Sequence, residues 1–267
     1  MRQLLGPFAA ALLLTVPACA QVPPSTSTSP DAALIEDLVV ANHILYDQGV
    51  VDGFGHVSAR SNKDPNHFLM ARSMAPGLVT ASDILEFDLD GNAVDNPQGR
   101  AVYLERFIHS EIYKAHPEVK SVVHSHSPSI IPFGATGVPL RPIYHMSSFL
   151  GAGVPIFEIR EAGGDATDML VRTSELGAAL AKVLGQAPIV LMRGHGFNTV
   201  GTSIRQAVSR AIYAEINARI LTDALKMGSV VYLNESEAAN IAKTNDASIG
   251  RSWEIWKVKA LANTPKY

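Results

Sequence analysis

Two short apolar segments of this chain end in histidines, and this pattern constrains the fold more than any other feature. Val122-Val123 leads into His124-Ser125-His126, and Ile189–Met192 leads into Arg193-Gly194-His195-Gly196. Side chains two positions apart in a strand point to the same face, so His124 and His126 can bind one ion together. His195, from a glycine-flanked turn, would complete a three-histidine metal site with an open coordination position. The alternative is that the two strand-end histidines only bond backbone carbonyl groups.

The remaining periodicities predict an α/β fold of three layers (α/β/α). Strands and helices alternate without strict βαβ order or repeats, which favours a central, mainly antiparallel sheet flanked by helices. The predicted helices are 31–49, 103–114, 130–135, 174–184, 203–227 and 235–257, with a helix start at 80–83. Residues 53–60 predict a glycine turn that enters a strand. The other predicted strands are 67–71, 84–89 with a hairpin turn at 90–92, 119–126, 154–159 and 189–192.

The first thirty residues have the composition of an export signal and a tether. Residues 1–19 join a basic start to a short apolar segment, which predicts a signal peptide. Val16-Pro17-Ala18-Cys19 resembles a bacterial lipobox, in which Cys19 would be lipidated; cleavage after Ala20 is the alternative. Residues 20–30 form a linker rich in Pro, Ser and Thr, and residues 31–267 form one domain. We therefore expect an exported, periplasmic protein, attached to a membrane only through a possible lipid anchor.

Composition excludes several kinds of site. Cys19 is the single cysteine, so the domain has no disulfide and no thiolate ligand or nucleophile. The formal net charge is −3 and no arginine-rich run occurs, so nucleic-acid binding has no support.

One further pair of residues matches the metal hypothesis. Glu105 and His109 lie four positions apart on a predicted helix and therefore share a face. Glu105 is a candidate proton carrier beside the metal, although a solvated helix pair with Arg106 nearby would have the same spacing.

Several motifs, taken in order, resemble the class II aldolase/adducin family, which includes zinc-dependent lyases of sugar phosphates. The resemblance covers about residues 31–230 and depends on four motifs: Gly55-His56-Val57-Ser58-Ala59-Arg60, Glu105-Arg106-Phe107-Ile108-His109, His124-Ser125-His126 and Gly194-His195-Gly196. Glu105 precedes His124 by nineteen residues, which is the family's spacing between its catalytic glutamate and first metal histidine.

The resemblance implies a class II aldolase-like fold, Glu105 as catalytic acid/base, and a metal held by His124, His126 and His195. Three imidazoles suit Zn²⁺ best, and chelation by an oxygen-rich substrate would also suit Mn²⁺. The resemblance further implies a homotetramer with active sites at subunit interfaces.

The chain departs from the sugar-phosphate members where they bind phosphate. Tyr103 and Leu104 replace two serines, His56 replaces an asparagine, and Arg72-Ser73-Met74-Ala75-Pro76 replaces a Thr-Pro-Ser-Gly loop. A phosphate dianion needs several hydrogen-bond donors, so a sugar phosphate is disfavoured as substrate.

The motifs instead resemble the decarboxylase branch of the family, whose members act on hydroxylated pyridine or benzene dicarboxylates. A small carboxylate is therefore the expected substrate. Aldol cleavage and decarboxylation both leave an electron pair beside a carbonyl group, which a chelating metal stabilises as an enolate. The candidates to bind substrate oxygens are His56, Ser58, Arg72, Ser73, His145 and Arg193.

The leading hypothesis is thus a metal-dependent carbon–carbon lyase that decarboxylates a hydroxylated aromatic or related acid. The first alternative is an aldolase acting on a non-phosphorylated hydroxy-oxo substrate. Two others are a non-catalytic, adducin-like binding module and a metal-dependent oxygenase on the same scaffold.

Overall fold

The computed structural model describes residues 32–94, 96 and 98–263. The predicted signal peptide, the linker and Cys19 lie outside the described residues. The α-helices are α1 (Ala32–Asp47), α2 (Arg106–Ala115), α3 (Ile131–Ala135), α4 (Arg160–Gly163), α5 (Ser174–Leu184), α6 (Ile204–Met227), α7 (Glu235–Asp246) and α8 (Ile249–Asn263). The strands are β1 (His56–Arg60), β2 (His67–Ala71), β3 (Ile84–Asp88), β4 (Ser121–Ser125), β5 (Ile156–Phe157), β6 (Ile189–Met192) and β7 (Gly196–Gly201). In this part of the chain, no helix has the length and hydropathy needed to cross a membrane.

The strands form one sheet in the order β3-β2-β1-β4-β7-β6-β5. The edge pair β5 and β6 is parallel, and the other neighbouring strands are antiparallel. The expectation of a mainly antiparallel sheet is confirmed.

Helices cover both faces of this sheet, so the fold has the three predicted layers. Val123 and Phe197 pack in one apolar core with residues of α1, α6 and α8. Val122 and Val190 pack in a second core with residues of α2 and α5. Adjacent residues such as Val122 and Val123 enter different cores because successive side chains of a strand point to opposite faces.

The structure differs from the predicted elements at several places. The strand predicted at 154–159 is reduced to β5 (Ile156–Phe157), and α4 was not predicted. Strand β7 was not predicted, and neither was the 3₁₀ segment His145–Ala152. The predicted tail helix is divided into α7 and α8 near Ala247. The helix predicted from residue 103 begins only at Arg106, because Glu105 has non-helical dihedral angles (φ −86°, ψ 16°).

Candidate metal centre

The three candidate metal ligands are brought together by two neighbouring strands. His124 lies in β4 and His126 directly after it, while β4 pairs with β7 in a register that opposes Ser125 to Phe197. His195 lies in the tight turn between β6 and β7, where its N–H donates to the Met192 carbonyl oxygen (3.1 Å). The hairpin therefore places His195 beside the end of β4.

This close approach requires glycine at position 196. A Cβ atom there would collide with the Ser125 carbonyl oxygen and lie 3.1 Å from the His126 Cα. Gly194, in the same turn, has a φ of +65°, a conformation that glycine adopts without strain. The glycines around His195 thus have a local steric reason.

The imidazole nitrogens converge on one point. Nε2 of His126 lies 3.0 Å from Nε2 of His124 and 2.9 Å from Nε2 of His195. Oε2 of Glu105 lies 3.5 Å from Nε2 of both His124 and His195. One ligand atom from each of these four residues lies within 4.8 Å of the others, so the group has the dimensions of a metal site.

The outward hydrogen bonds of the His124 and His195 rings show whether their inward nitrogens could bind a cation. Nδ1 of His195 donates to the Met169 carbonyl oxygen (2.9 Å), and Nδ1 of His124 donates to Oδ1 of Asn198 (2.8 Å). A neutral imidazole carries one proton, so both Nε2 atoms present lone pairs to the centre. Outer hydrogen bonds of this kind, which hold a ring with Nε2 toward a shared centre, are typical of metal-binding histidines. The residues present fit a divalent metal.

Glu105 contributes a buried negative charge to this group. It is 7% exposed and lies immediately before α2, with Oε1 accepting a hydrogen bond from the Val171 N–H (3.0 Å). Burial raises the pKa of its carboxyl group, but His124, His195 and the Val171 N–H together outweigh burial and lower this pKa to about 2. Glu105 is therefore a carboxylate held next to the three imidazoles.

His56 and Tyr103 form a buried wall beside His124. The ring centroid of His56 is 4.8 Å from that of His124 and 4.5 Å from that of Tyr103. The Tyr103 hydroxyl donates to the Met74 carbonyl oxygen, and Leu104 is 54% exposed. Tyr103 and Leu104 stand where the sugar-phosphate members have two phosphate-binding serines. Leu104 is apolar, and the hydroxyl proton of Tyr103 is already bonded to Met74.

The other predicted substrate contacts lie in different surroundings. Ser58 is fully buried and bonded to His109 and Tyr113, which favours support of His109 over ligand contact. Arg72 pairs with Asp83 (2.7 Å), and Ser73 is exposed. Their contact with a substrate stays a prediction.

Arg193 and His145 complete the predicted set. Nε of Arg193 lies 2.5 Å from a carboxylate oxygen of Glu158, so the guanidinium next to His195 is paired within the chain. His145 is exposed at the start of a 3₁₀ segment and packs its ring on Tyr144. Their roles in binding also stay predictions.

Sequence reasoning missed the residues that orient the ligands. Asn198 and the backbone of Met169 and Val171 support His124, His195 and Glu105. Asn198 follows His195 by three positions, and its polarity in a buried strand was a signal that could have found it. The backbone contacts leave no mark in the side-chain sequence.

Comparison with known proteins agrees with this geometry. The model of the family "Class II Aldolase and Adducin N-terminal domain" matches residues 36–222. The chain belongs to this family.

Its relatives include enzymes that cleave carbon–carbon bonds. "Decarboxylase tropJ" of Talaromyces stipitatus is 40% identical, over 85% of this chain and 94% of the relative. The "3,4-dihydroxyphthalate decarboxylase" of Arthrobacter keyseri is 29% identical, over 77% of this chain and 85% of the relative. The solved L-fuculose 1-phosphate aldolase of Glaciozyma antarctica superposes with a TM-score of 0.73 and 27% identity, covering 92% of this chain and 97% of that one.

These relatives identify a carbon–carbon lyase with the class II aldolase fold. The predicted family, fold and enzyme class are confirmed, including the resemblance to the decarboxylase branch.

Proposed function

We propose that this lyase is a metal-dependent decarboxylase of a hydroxylated aromatic or related carboxylic acid. The observation that carries the proposal is the convergence of three imidazole Nε2 atoms and the Glu105 carboxylate, in a chain related to decarboxylases, one of which is named for 3,4-dihydroxyphthalate.

His124, His126 and His195 would hold Zn²⁺ or Mn²⁺ through Nε2. When bound, the cation would supply Lewis-acid polarisation of neighbouring substrate oxygens and stabilise the negative charge that carbon–carbon cleavage leaves. His126 is partly exposed, and the exposed ring of Phe54 lies 6.3 Å from its ring, centroid to centroid. A substrate would approach on that side.

Glu105 would manage the proton. As a carboxylate it can accept the proton of a substrate hydroxyl beside the scissile bond. When carbon dioxide leaves, the bonding electron pair stays on the substrate carbon, and the proton held by Glu105 is then delivered to that carbon. The Val171 N–H fixes Oε1, so Oε2 is the oxygen that faces the ligand nitrogens and would carry the proton.

The substrate carboxylate needs donors that the chain supplies near the centre. His56 is adjacent to His124, and Arg193 is adjacent to the turn that carries His195. Arg72, Ser73 and His145 are further candidate contacts for the substrate oxygens. A phosphate group finds fewer donors, because positions 103 and 104 are tyrosine and leucine.

The test is a screen for release of carbon dioxide. The purified chain would be stripped with a chelator, reloaded with Zn²⁺ or Mn²⁺, and supplied with hydroxylated benzene and pyridine carboxylates, including 3,4-dihydroxyphthalate. The proposal expects metal-dependent release from at least one such acid. Release of an aldehyde from a non-phosphorylated hydroxy-oxo acid, without carbon dioxide, would favour the aldolase alternative instead.

Location and assembly are separate parts of the proposal. We propose export to the periplasm, lipid attachment through Cys19 and a homotetramer, as the sequence predicts. Light scattering of the purified domain tests the tetramer, and a monomeric mass with full activity would contradict it.

A further inference from the structure

A chain of four hydrogen-bonded side chains runs from the core between the sheet and α2 to the candidate metal centre. Tyr113 Oη lies 2.7 Å from Ser58 Oγ, Ser58 Oγ lies 2.6 Å from His109 Nδ1, and His109 Nε2 lies 2.7 Å from His56 Nδ1. We call these residues, Tyr113, Ser58, His109 and His56, the buried relay. None is more than 3% exposed.

Burial fixes the protonation of the relay. It lowers the pKa of His109 to about 3, assisted by the neighbouring His124 and opposed by Glu105. Burial also raises the pKa of the Tyr113 hydroxyl. His109 therefore carries one ring proton at neutral pH and Tyr113 keeps its own, so the relay has only two possible directions.

The Tyr113 end decides between the directions. If His56 donated to His109, then His109 Nδ1 would donate to Ser58 Oγ. The Ser58 and Tyr113 hydroxyls could then use only one of their two protons between them, and the other proton would be buried without an acceptor, because the structure gives neither hydroxyl a further acceptor among the described residues. The backbone N–H of Val122 also acts on the Tyr113 oxygen as a donor, which leaves the hydroxyl proton for Ser58. A buried donor without a partner costs about 1–3 kcal/mol, which favours the opposite direction.

In the favoured direction Tyr113 donates to Ser58, Ser58 donates to His109 Nδ1, and His109 Nε2 donates to His56 Nδ1. The proton of a neutral His56 ring is then on Nε2. In the described part of the chain the structure gives this atom no hydrogen-bond partner. His56 is directly opposite His124 in the register of β1 and β4, with the rings 4.8 Å apart. The free N–H is therefore next to the ligand cluster.

We infer that His56 is a fixed hydrogen-bond donor to an anionic substrate oxygen beside the metal, and that Tyr113, Ser58 and His109 are positioning residues that hold it in the Nε2–H form. The inference rests on the proposed function for the substrate class, a hydroxylated carboxylic acid. A ring locked as a donor selects a carboxylate or phenolate oxygen and rejects a group that itself donates, because two facing donors leave both unsatisfied.

The direct test is ¹⁵N NMR of the Zn²⁺-loaded full chain, labelled only at histidine. Protonated and unprotonated ring nitrogens give well-separated shifts, and loss of signals in His56→Gln assigns the His56 ring. The inference expects a protonated Nε2 and an unprotonated Nδ1 on His56, and a shift of both toward mixed values in Tyr113→Phe. A protonated Nδ1 on His56 in the wild type would overturn it. This measurement needs no turnover, so it stands apart from the proposed function.

Ligand binding separates the donor role from a structural one. Gln can place an N–H near the position of Nε2, whereas Leu cannot, so His56→Gln should keep the KM for the acid within a few-fold and His56→Leu should raise it about 10-fold or more. The kcat values should change less than KM. Exposed Tyr46, changed to Phe, is the control for Tyr113→Phe and should leave the spectrum and KM unchanged. Equal KM values for His56→Gln, His56→Leu and the wild type would refute the donor role.

Discussion

Oδ1 of Asn198 accepts a hydrogen bond from Nδ1 of His124 at 2.8 Å, across the register that pairs these two residues on β7 and β4. The bond fixes the ring so that Nε2 faces the other two imidazoles. His195 is fixed in the same manner by the Met169 carbonyl oxygen, and Met169 has a φ of +69°, which few non-glycine residues adopt. Strained backbone of this kind is typical of functional sites. Both rings are thus oriented by groups that are not among the four candidate ligands.

Replacement of Asn198 by alanine should weaken metal binding without removing a ligand. Loss of an outer hydrogen bond typically costs about 10–100-fold in metal affinity, and we expect a loss in that range. Competition with a chromogenic chelator measures it. Asn66→Ala, at an exposed position, is the control. An unchanged dissociation constant in Asn198→Ala would show that the bond does not orient the ligand.

Gly196→Ala should disturb both the sheet and the metal centre. The added Cβ meets the Ser125 carbonyl oxygen, so β4 and β7 must separate. We expect the free energy of unfolding to fall by about 1–3 kcal/mol or more, together with loss of bound metal. Urea unfolding and metal analysis measure the two effects. Gly137→Ala is the matched control, because a Cβ there meets nothing within 4 Å.

His109 should make the metal-free protein less stable in mild acid. Its folded pKa of about 3 is below the unfolded value of about 6.5, so the protein takes up a proton at His109 when it unfolds between these values. The stability that His109 contributes is complete above the unfolded pKa and declines as the pH falls toward 3. Near pH 5 the slope is about 1.4 kcal/mol per pH unit. Urea unfolding at closely spaced pH values around 5 should show a slope smaller by about this amount in His109→Gln; an equal slope would contradict the assignment.

Membrane attachment should depend on lipidation of Cys19. If it is lipidated, the full-length chain expressed in a bacterium should incorporate labelled fatty acid and sediment with membranes, and Cys19→Ala should do neither. A mature amino terminus at Gln21, without lipid, would instead show cleavage after Ala20.

The sequence predicted the histidine cluster because the spacing of its members is local. In a strand, His124 and His126 point to the same face, so their imidazoles lie side by side. The glycines around His195 indicate a tight turn. Strand β7 was missed because glycines bound it and Asn198 and Thr199 interrupt its apolar residues. Both of these polar side chains are fully buried: Thr199 donates to the Ala207 carbonyl oxygen of α6, and Oδ1 of Asn198 accepts from His124.

The buried relay was beyond sequence reasoning for a different reason. Ser58 lies in β1 and His109 in α2, and these two residues are 51 positions apart in the chain. Their contact depends on how α2 packs across the sheet, and no local periodicity encodes that. Ser58 was predicted as a substrate contact, and its bonds to His109 and Tyr113 were not foreseen.

Glu105→Gln should separate chemistry from metal binding. Glutamine has nearly the same shape, so the three imidazoles should keep their metal, but it cannot accept or deliver a proton. We expect turnover to fall at least ~100-fold, the lower range of general acid–base contributions. Parallel metal analysis and carbon dioxide release measure this, and near-normal turnover would remove Glu105 from the mechanism.

The most direct test of the central claim compares carbon dioxide release by the wild type and His124→Ala, with the metal content of each preparation determined in parallel. The wild type should bind one divalent ion per chain, lose activity when stripped and recover it when reloaded with Zn²⁺ or Mn²⁺. His124→Ala should lose both the ion and the activity. If His124→Ala retains its metal and its turnover, the three-histidine centre is not the site of the reaction.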